Sequence, residues 1–199
     1  SLFDVNWNCL NITDESEWYR AKHRAVQDVN GAIRFLVNNA SSYNIDPSNI
    51  FVAGESAGGF VALSVGFTDD DSEIIDRLTD AYPNAPKPNS IYESTCIQAN
   101  GFALDIDSMD LSRPDLGSYL GLLNSPANNS YSIKGVGSFF GGVFTNIFHS
   151  ISSNIPALYL YHQPCDLIVP YNYSRVFTGY QNCLMGFPTN CGYIVNRPY

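Results

Sequence analysis

The sequence predicts an α/β fold, a mostly parallel sheet flanked by helices, and three observations carry that prediction. A long segment with helical spacing covers residues 16–41. A short unbroken apolar run, Ile50-Phe51-Val52-Ala53, follows it. A Gly-rich break over residues 54–59 then leads directly into a second apolar stretch, residues 60–65. Helix, strand, sharp turn and helix is the grammar of α/β domains.

In the first segment the apolar residues Trp18, Ala21, Ala25, Val29, Ala32, Ile33, Leu36, Val37 and Ala40 recur at helical spacing along one face. Asp14 and Glu17 have the spacing of a capping box, and Pro47 among Asp and Asn neighbours ends the region. The run 50–53 suits a strand buried on both faces. From 68 to 132 the periodicity dissolves, opening on Asp69-Asp70-Asp71 and broken by five prolines. A parallel α/β unit needs only a short link there, so this stretch reads as an insertion of roughly 65 residues within a single domain spanning 1–199, able to lie over the sheet edge. Strand signals return at 133–140, which alternates small and apolar residues, and at 157–162. Residues 171–180 read as a further helix, and 182–199 as loop.

Composition narrows the function classes. The 199 residues are 45% apolar and only 15% charged, which argues for a packed core and against disorder. Ten Lys and Arg against nineteen Asp and Glu give a net charge of −9, so neither nucleic acid nor an anionic membrane is an expected partner. No apolar run is long enough to span a bilayer, and the first residues lack the basic start and apolar stretch of a signal peptide. The scarcity of lysine leans towards a secreted or periplasmic protein. Sequons at Asn11, Asn39, Asn128 and Asn172 are no more than an Asn- and Ser-rich chain supplies, and say little. Cys9, Cys96, Cys165, Cys183 and Cys191 form no C-x-x-C pair, so neither a zinc site nor a thioredoxin-like motif is expected. Cys183 and Cys191 have a spacing compatible with a short disulfide, and all five are equally compatible with free thiols.

Gly54-Glu55-Ser56-Ala57-Gly58 fits G-x-S-x-G, placed after a strand and before a helix as a nucleophile elbow requires. A serine on such a strained turn stands clear of the sheet, and residues two away on either side must be small enough for strand and helix to pass closely. The helix N-terminus beneath the serine offers unsatisfied N–H groups and partial positive charge. The Ala57 N–H is the candidate oxyanion donor, aimed at the negative charge of a tetrahedral intermediate. An inert serine in a Gly-rich turn is the bland alternative.

The segment 28–63 resembles the carboxylesterases and lipases of the α/β-hydrolase fold, through the run Asn44-Ile45-Asp46-Pro47-Ser48-Asn49-Ile50 and the elbow Gly54-Glu55-Ser56-Ala57-Gly58-Gly59. The resemblance resumes at 133–143 and 155–171 and does not cover the insertion. It implies a partial α/β-hydrolase domain and hydrolysis of a small-molecule carboxylic ester through an acyl-enzyme at Ser56, with no metal and no organic cofactor. It also implies a triad in the chain order Ser, Asp, His. The family segment H-G-x-x-D-x-x-V-P is matched by His162-Gln163-Pro164-Cys165-Asp166-Leu167-Ile168-Val169-Pro170, with Gln163 in place of the usual Gly, which makes Asp166 the implied acid. Asp46, Asp105, Asp107 and Asp110 are weaker rivals, since none ends a convincing strand.

The same resemblance places the base one helix and one strand beyond the acid, and no histidine follows Asp166. His23 is expected at the surface of the first helix or against the sheet, His149 in a connection, and His162 in the shaping of the acid loop; none is assigned as the base. Nothing before Ser16 matches the family's Gly-rich oxyanion loop. These two gaps predict a fragment of a longer hydrolase, inactive by itself, with a sheet edge that a second copy would cover. Two other functions remain. A serine peptidase of the prolyl-oligopeptidase type shares the fold and residue order, although Glu55 and Ala57 favour esterases. A non-catalytic esterase-like binding module would suit the missing base.

Overall fold

The computed structural model describes residues 15–68, 71, 116–124, 131–144, 155–164, 166–175 and 193–195. Asp14, His149, all five cysteines and most of the expected 68–132 insertion lie outside the described residues. The elements in order are α1 (Glu15–Asn38), α2 (Ala40–Tyr43), β1 (Ile50–Glu55), α3 (Ala57–Phe67), β2 (Ile133–Phe139), β3 (Val143–Phe144), β4 (Ala157–Tyr161), β5 (Ser174–Arg175) and β6 (Tyr193–Val195). The architecture is α/β, with β1, β2 and β4 forming a parallel sheet in that spatial order.

The long helix stops one turn earlier than its apolar spacing predicts. Asn39 takes a non-helical conformation while its side-chain amide donates to Phe35 O at 2.8 Å. The single turn α2 then ends at Asn44 in the left-handed region, φ 54°. Asp46 organises the approach to β1. Its Oδ1 accepts from the Ser48 N–H and hydroxyl, and its Oδ2 from the Asn49 amide at 2.6 Å. The Ser48 hydroxyl, then the Ser48 N–H, then Asn49 hold the carboxyl below the usual carboxylate range. A depressed folded-state pKa stabilises the fold above the ordinary carboxylate pKa and loses that contribution as pH falls through the folded value. Asp46→Asn is therefore expected to shrink the fall in melting temperature between about pH 5 and pH 2. An unchanged fall would show that Asp46 contributes nothing to acid sensitivity.

Helix α3 is apolar all round because it is buried all round. Its Val61 and Val65 pack against Ala25, Val26, Ile33 and Val37 of α1. Its Ala62, Leu63 and Phe67 pack against Val136 and Val143. Gly66 allows the close approach to the sheet, since a Cβ there would meet Val136 Cγ2 at 2.2 Å.

β1 is not buried on both faces. Ile50, Val52 and Gly54 are half-buried beneath the helices, while Phe51, Ala53 and Glu55 are exposed. Among the described residues both long helices pack on the Val52 and Val136 side. The other face carries Phe51, Phe139, Tyr159 and Tyr161, all exposed. The apolar run that predicts two-sided burial thus has one side covered by described elements. Among the described strands β1 lies at one side of this sheet, and a cavity of about 390 Å³ opens beside it between α1 and α3.

α1 has a second buried stripe that is polar. His23, Gln27, Asn30 and Arg34 follow one another at helical spacing and bond to backbone carbonyls of the segment 116–124. Arg34 is fully buried, with its guanidinium on Leu120 O, Leu123 O and, at 3.4 Å, Gly121 O. Asn124 returns a bond from its amide to Gly31 O at 2.9 Å. The described end of the expected insertion therefore lies along α1. The C-terminal region also departs from expectation. Residues 171–173 bend, Ser174–Arg175 forms a strand rather than starting a helix, and both it and Val143–Phe144 pair antiparallel with Tyr193–Val195 in the region read as loop. Among the described residues no helix is long and apolar enough to cross a membrane.

Candidate active site

Ser56 occupies the single residue between β1 and α3, at φ 53° and ψ −119°. A non-glycine residue in that region is strained, and the strain persists only where the flanking elements impose it. Ser56 N donates to Phe139 O at 2.8 Å, so the chain leaves the sheet ladder only after this residue. Ser56 O accepts from Gly59 N at 2.9 Å and Phe60 N at 3.3 Å, which starts the helix. The Ser56 side chain is exposed and makes no capping bond. Its hydroxyl thus stands at a helix N-terminus, where the N–H of Ala57 has no intrahelical acceptor.

The glycines around Ser56 divide differently from the pattern. A Cβ on Gly54 would lie 2.1 Å from Gly58 O and 2.8 Å from Gly59 N, so strand and helix touch through backbone there. A Cβ on Gly58 would meet nothing within 4 Å. The second close approach belongs to Gly59, whose Cβ would meet Ser138 Oγ at 2.7 Å and Gly141 Cα at 2.9 Å. The expectation that both residues two away from the serine must be small is corrected on the Gly58 side.

The parallel register builds a row along one end of the sheet. Glu55 pairs with Phe139, and Phe139 with Tyr161. The next residues, Ser56, Phe140 and His162, therefore share that edge, with Ser56 and His162 two strands or about 10 Å apart at the backbone. Glu55 projects on the exposed sheet face with Phe139 and Tyr161. Asp166 follows in the loop after β4. Its Oδ1 accepts from Ile168 N at 2.9 Å and Val169 N at 3.0 Å, and its Oδ2 lies 3.4 Å from His162 Nε2. Ser56 and Asp166 thus follow β1 and β4, the two strands that flank β2, at the same end of the parallel sheet, where α/β sheets bind ligands.

The histidines are distributed otherwise. His23 is buried at 1% exposure and bonds through Nε2 to Gly117 O at 2.8 Å, so it packs neither at the surface nor against the sheet. Burial of an imidazole this deep requires a polar partner, and the 116–124 backbone supplies it. His162 bonds through Nε2 to Val169 O at 2.7 Å.

Phe140 escaped sequence reasoning. It sits at φ 54°, an uncommon conformation for a bulky residue, and donates its N–H to Tyr161 O at 2.8 Å. Its ring meets Tyr161 edge-on at 5.3 Å and His162 at 6.1 Å. Its sequence signal is the pair Gly141-Gly142 just beyond the end of β2. Among the described residues no group of His, Cys, Asp and Glu is placed to hold a metal ion.

The BD-FAE family model covers residues 2–180. No curated protein and no solved structure matches the chain. The family match takes in the strand, turn and helix that carry Ser56, the strands of the parallel sheet and the loop of Asp166. The chain belongs to the BD-FAE family of esterase-like hydrolases with an α/β-hydrolase type of domain.

Proposed function

We infer that the chain carries the nucleophile and the acid of a serine esterase acting on small-molecule carboxylic esters. The observation that carries this reading is the strained, uncapped Ser56 at the head of α3. In the reaction Ser56 Oγ attacks the ester carbonyl carbon as its proton passes to an imidazole base. The Ala57 N–H donates to the carbonyl oxygen as it becomes an oxyanion. Collapse expels the alcohol, which takes the proton from the imidazolium. Water then attacks the acyl-enzyme by the same route and releases the carboxylic acid. Asp166 orients the imidazole and stabilises its cation.

Neither His23 nor His162 is placed as that base, since each has Nε2 engaged with a backbone carbonyl. The chain and its Ser56→Ala variant are therefore expected to release p-nitrophenol from p-nitrophenyl acetate at equal rates. Ser56-dependent release would assign the base to His149 or to a neighbouring chain. Added imidazole separates the nucleophile from the base. With diisopropyl fluorophosphate in imidazole buffer, peptide mass mapping is expected to find the adduct on Ser56. Ser56→Ala should lower total modification at least about hundredfold. An unmodified Ser56, or adducts spread evenly over other serines, would refute the nucleophile assignment.

A further inference from the structure

Two non-glycine residues with positive φ stand side by side at one end of the parallel sheet, and the reaction uses only Ser56 of the pair. We propose that Phe140 is a specificity-determining residue, a fixed wall that limits the reach of the apolar group held on Ser56. This inference rests on the reading of Ser56 as the nucleophile.

Phe140 is the counterpart of Ser56 on the neighbouring strand. The pairing of Glu55 with Phe139 sets the two residues one strand spacing apart, about 5 Å. Their φ angles are 53° and 54°. Both leave their strands in the same way. Ser56 N donates to Phe139 O, and Phe140 N donates to Tyr161 O, each at 2.8 Å. For serine this conformation presents a hydroxyl. For a bulky side chain it is costly, and glycine would adopt it freely. Such strain persists only where the surrounding structure imposes it.

Three successive residues impose it here. Phe139 O is tied to β1, Phe140 N to β4, and Gly141 packs on the first turn of α3, where a Cβ on Gly141 would lie 2.7 Å from Gly59 Cα. The backbone at Phe140 is therefore fixed against both the strand that ends at the nucleophile and the helix that carries the Ala57 N–H. The ring is fixed as well. Tyr161 meets it edge-on at 5.3 Å and His162 lies at 6.1 Å, with Tyr171 behind His162 at 6.0 Å. Phe140 is half-buried, so part of it stays open at the end of the sheet. A group that extends from Ser56 across the end of β2 meets an apolar side chain that neither swings aside nor offers a hydrogen bond. That side of the site takes a short apolar group and excludes a longer one.

The test is a ratio of two rates on the 199-residue chain. Ser56 is modified in imidazole buffer by dimethyl fluorophosphate and by dibutyl fluorophosphate, and peptide mass mapping reads the adduct. The butyl chains reach one strand spacing, ~5 Å, and the methyl groups do not. Phe140→Ala is expected to raise the dibutyl-to-dimethyl ratio at least about tenfold, the low end of what methylenes in a pocket are worth. Phe140→Leu keeps an apolar side chain of similar reach and should stay within about threefold of the wild type. Loss of folded protein lowers both rates alike and cancels in the ratio. A ratio that Phe140→Ala leaves unmoved would overturn the wall while leaving Ser56 as nucleophile. A wild-type chain unmodified at Ser56 by either reagent would overturn both. Phe140→Gly removes the same ring but suits the φ of 54°. It should raise the ratio as much as Phe140→Ala, and its urea midpoint should lie above that of Phe140→Ala. Equal midpoints would show that the backbone is not held in this conformation, and the fixed wall would fall with it.

Discussion

Gly54→Ala is expected to destabilise the fold by ~3 kcal/mol or more, because the new methyl meets backbone rather than a movable side chain. Its Cβ would lie 2.1 Å from Gly58 O and 2.2 Å from Gly58 C. The first turn of α3 has to retreat to admit it, and the Ala57 N–H moves with that turn. Modification of Ser56 in imidazole buffer should then fall about hundredfold, the typical loss of one oxyanion donor. Gly58→Ala is the matched control. It enters open space on an α-helix, so the change should be neutral or stabilising by about 0.5–1 kcal/mol. Urea unfolding of both variants checks the pair. Equal stability of the two would show that strand and helix do not meet at Gly54.

Arg34→Met should destabilise by ~2–4 kcal/mol, since it removes a fully buried guanidinium and leaves the carbonyls of Leu120 and Leu123 without their donor. The methionine keeps the apolar volume, so the loss reports hydrogen bonding rather than a cavity. Gln27→Ala or Asn30→Ala should cost less, about 1 kcal/mol each. A companion readout comes from Tyr131, whose phenol is raised by burial and drawn back down by the charge of Arg34. Removing that charge should raise the phenol further, visible in its ultraviolet titration. Proteolysis within residues 116–124 should also quicken, because α1 holds that backbone through side chains alone. Unchanged stability and unchanged proteolysis would mean that the carbonyls find water instead.

Some of this was open to reading and some was not. The strand, strained turn and helix around Ser56 were legible because they impose local demands on Gly54, Ser56 and Ala57. The proposal of Asp166 as the acid rests on resemblance, since nothing in its own sequence neighbourhood distinguishes an acid from a surface aspartate. The polar stripe of α1 was not legible. His23, Gln27, Asn30 and Arg34 look like a solvated helix face, and it takes the carbonyls of residues near 120 to make them interior. The contrast between Gly58 and Gly59 was equally hidden, because the pattern marks spacing from the serine and not distance to Ser138 and Gly141. Val195 and Arg175 gave no strand signal strong enough to set against the loop-like composition around them.

The sequence by itself determined the α/β class, the order of its main elements and the position of the strained serine, because these follow from local periodicity and from turns that only small residues allow. Tertiary structure alone decided which face of β1 is covered, which glycines touch backbone and what the histidines bond. Those depend on atoms brought together from residues up to 94 positions apart, as in the bond from His23 to Gly117, and no local pattern encodes such a meeting.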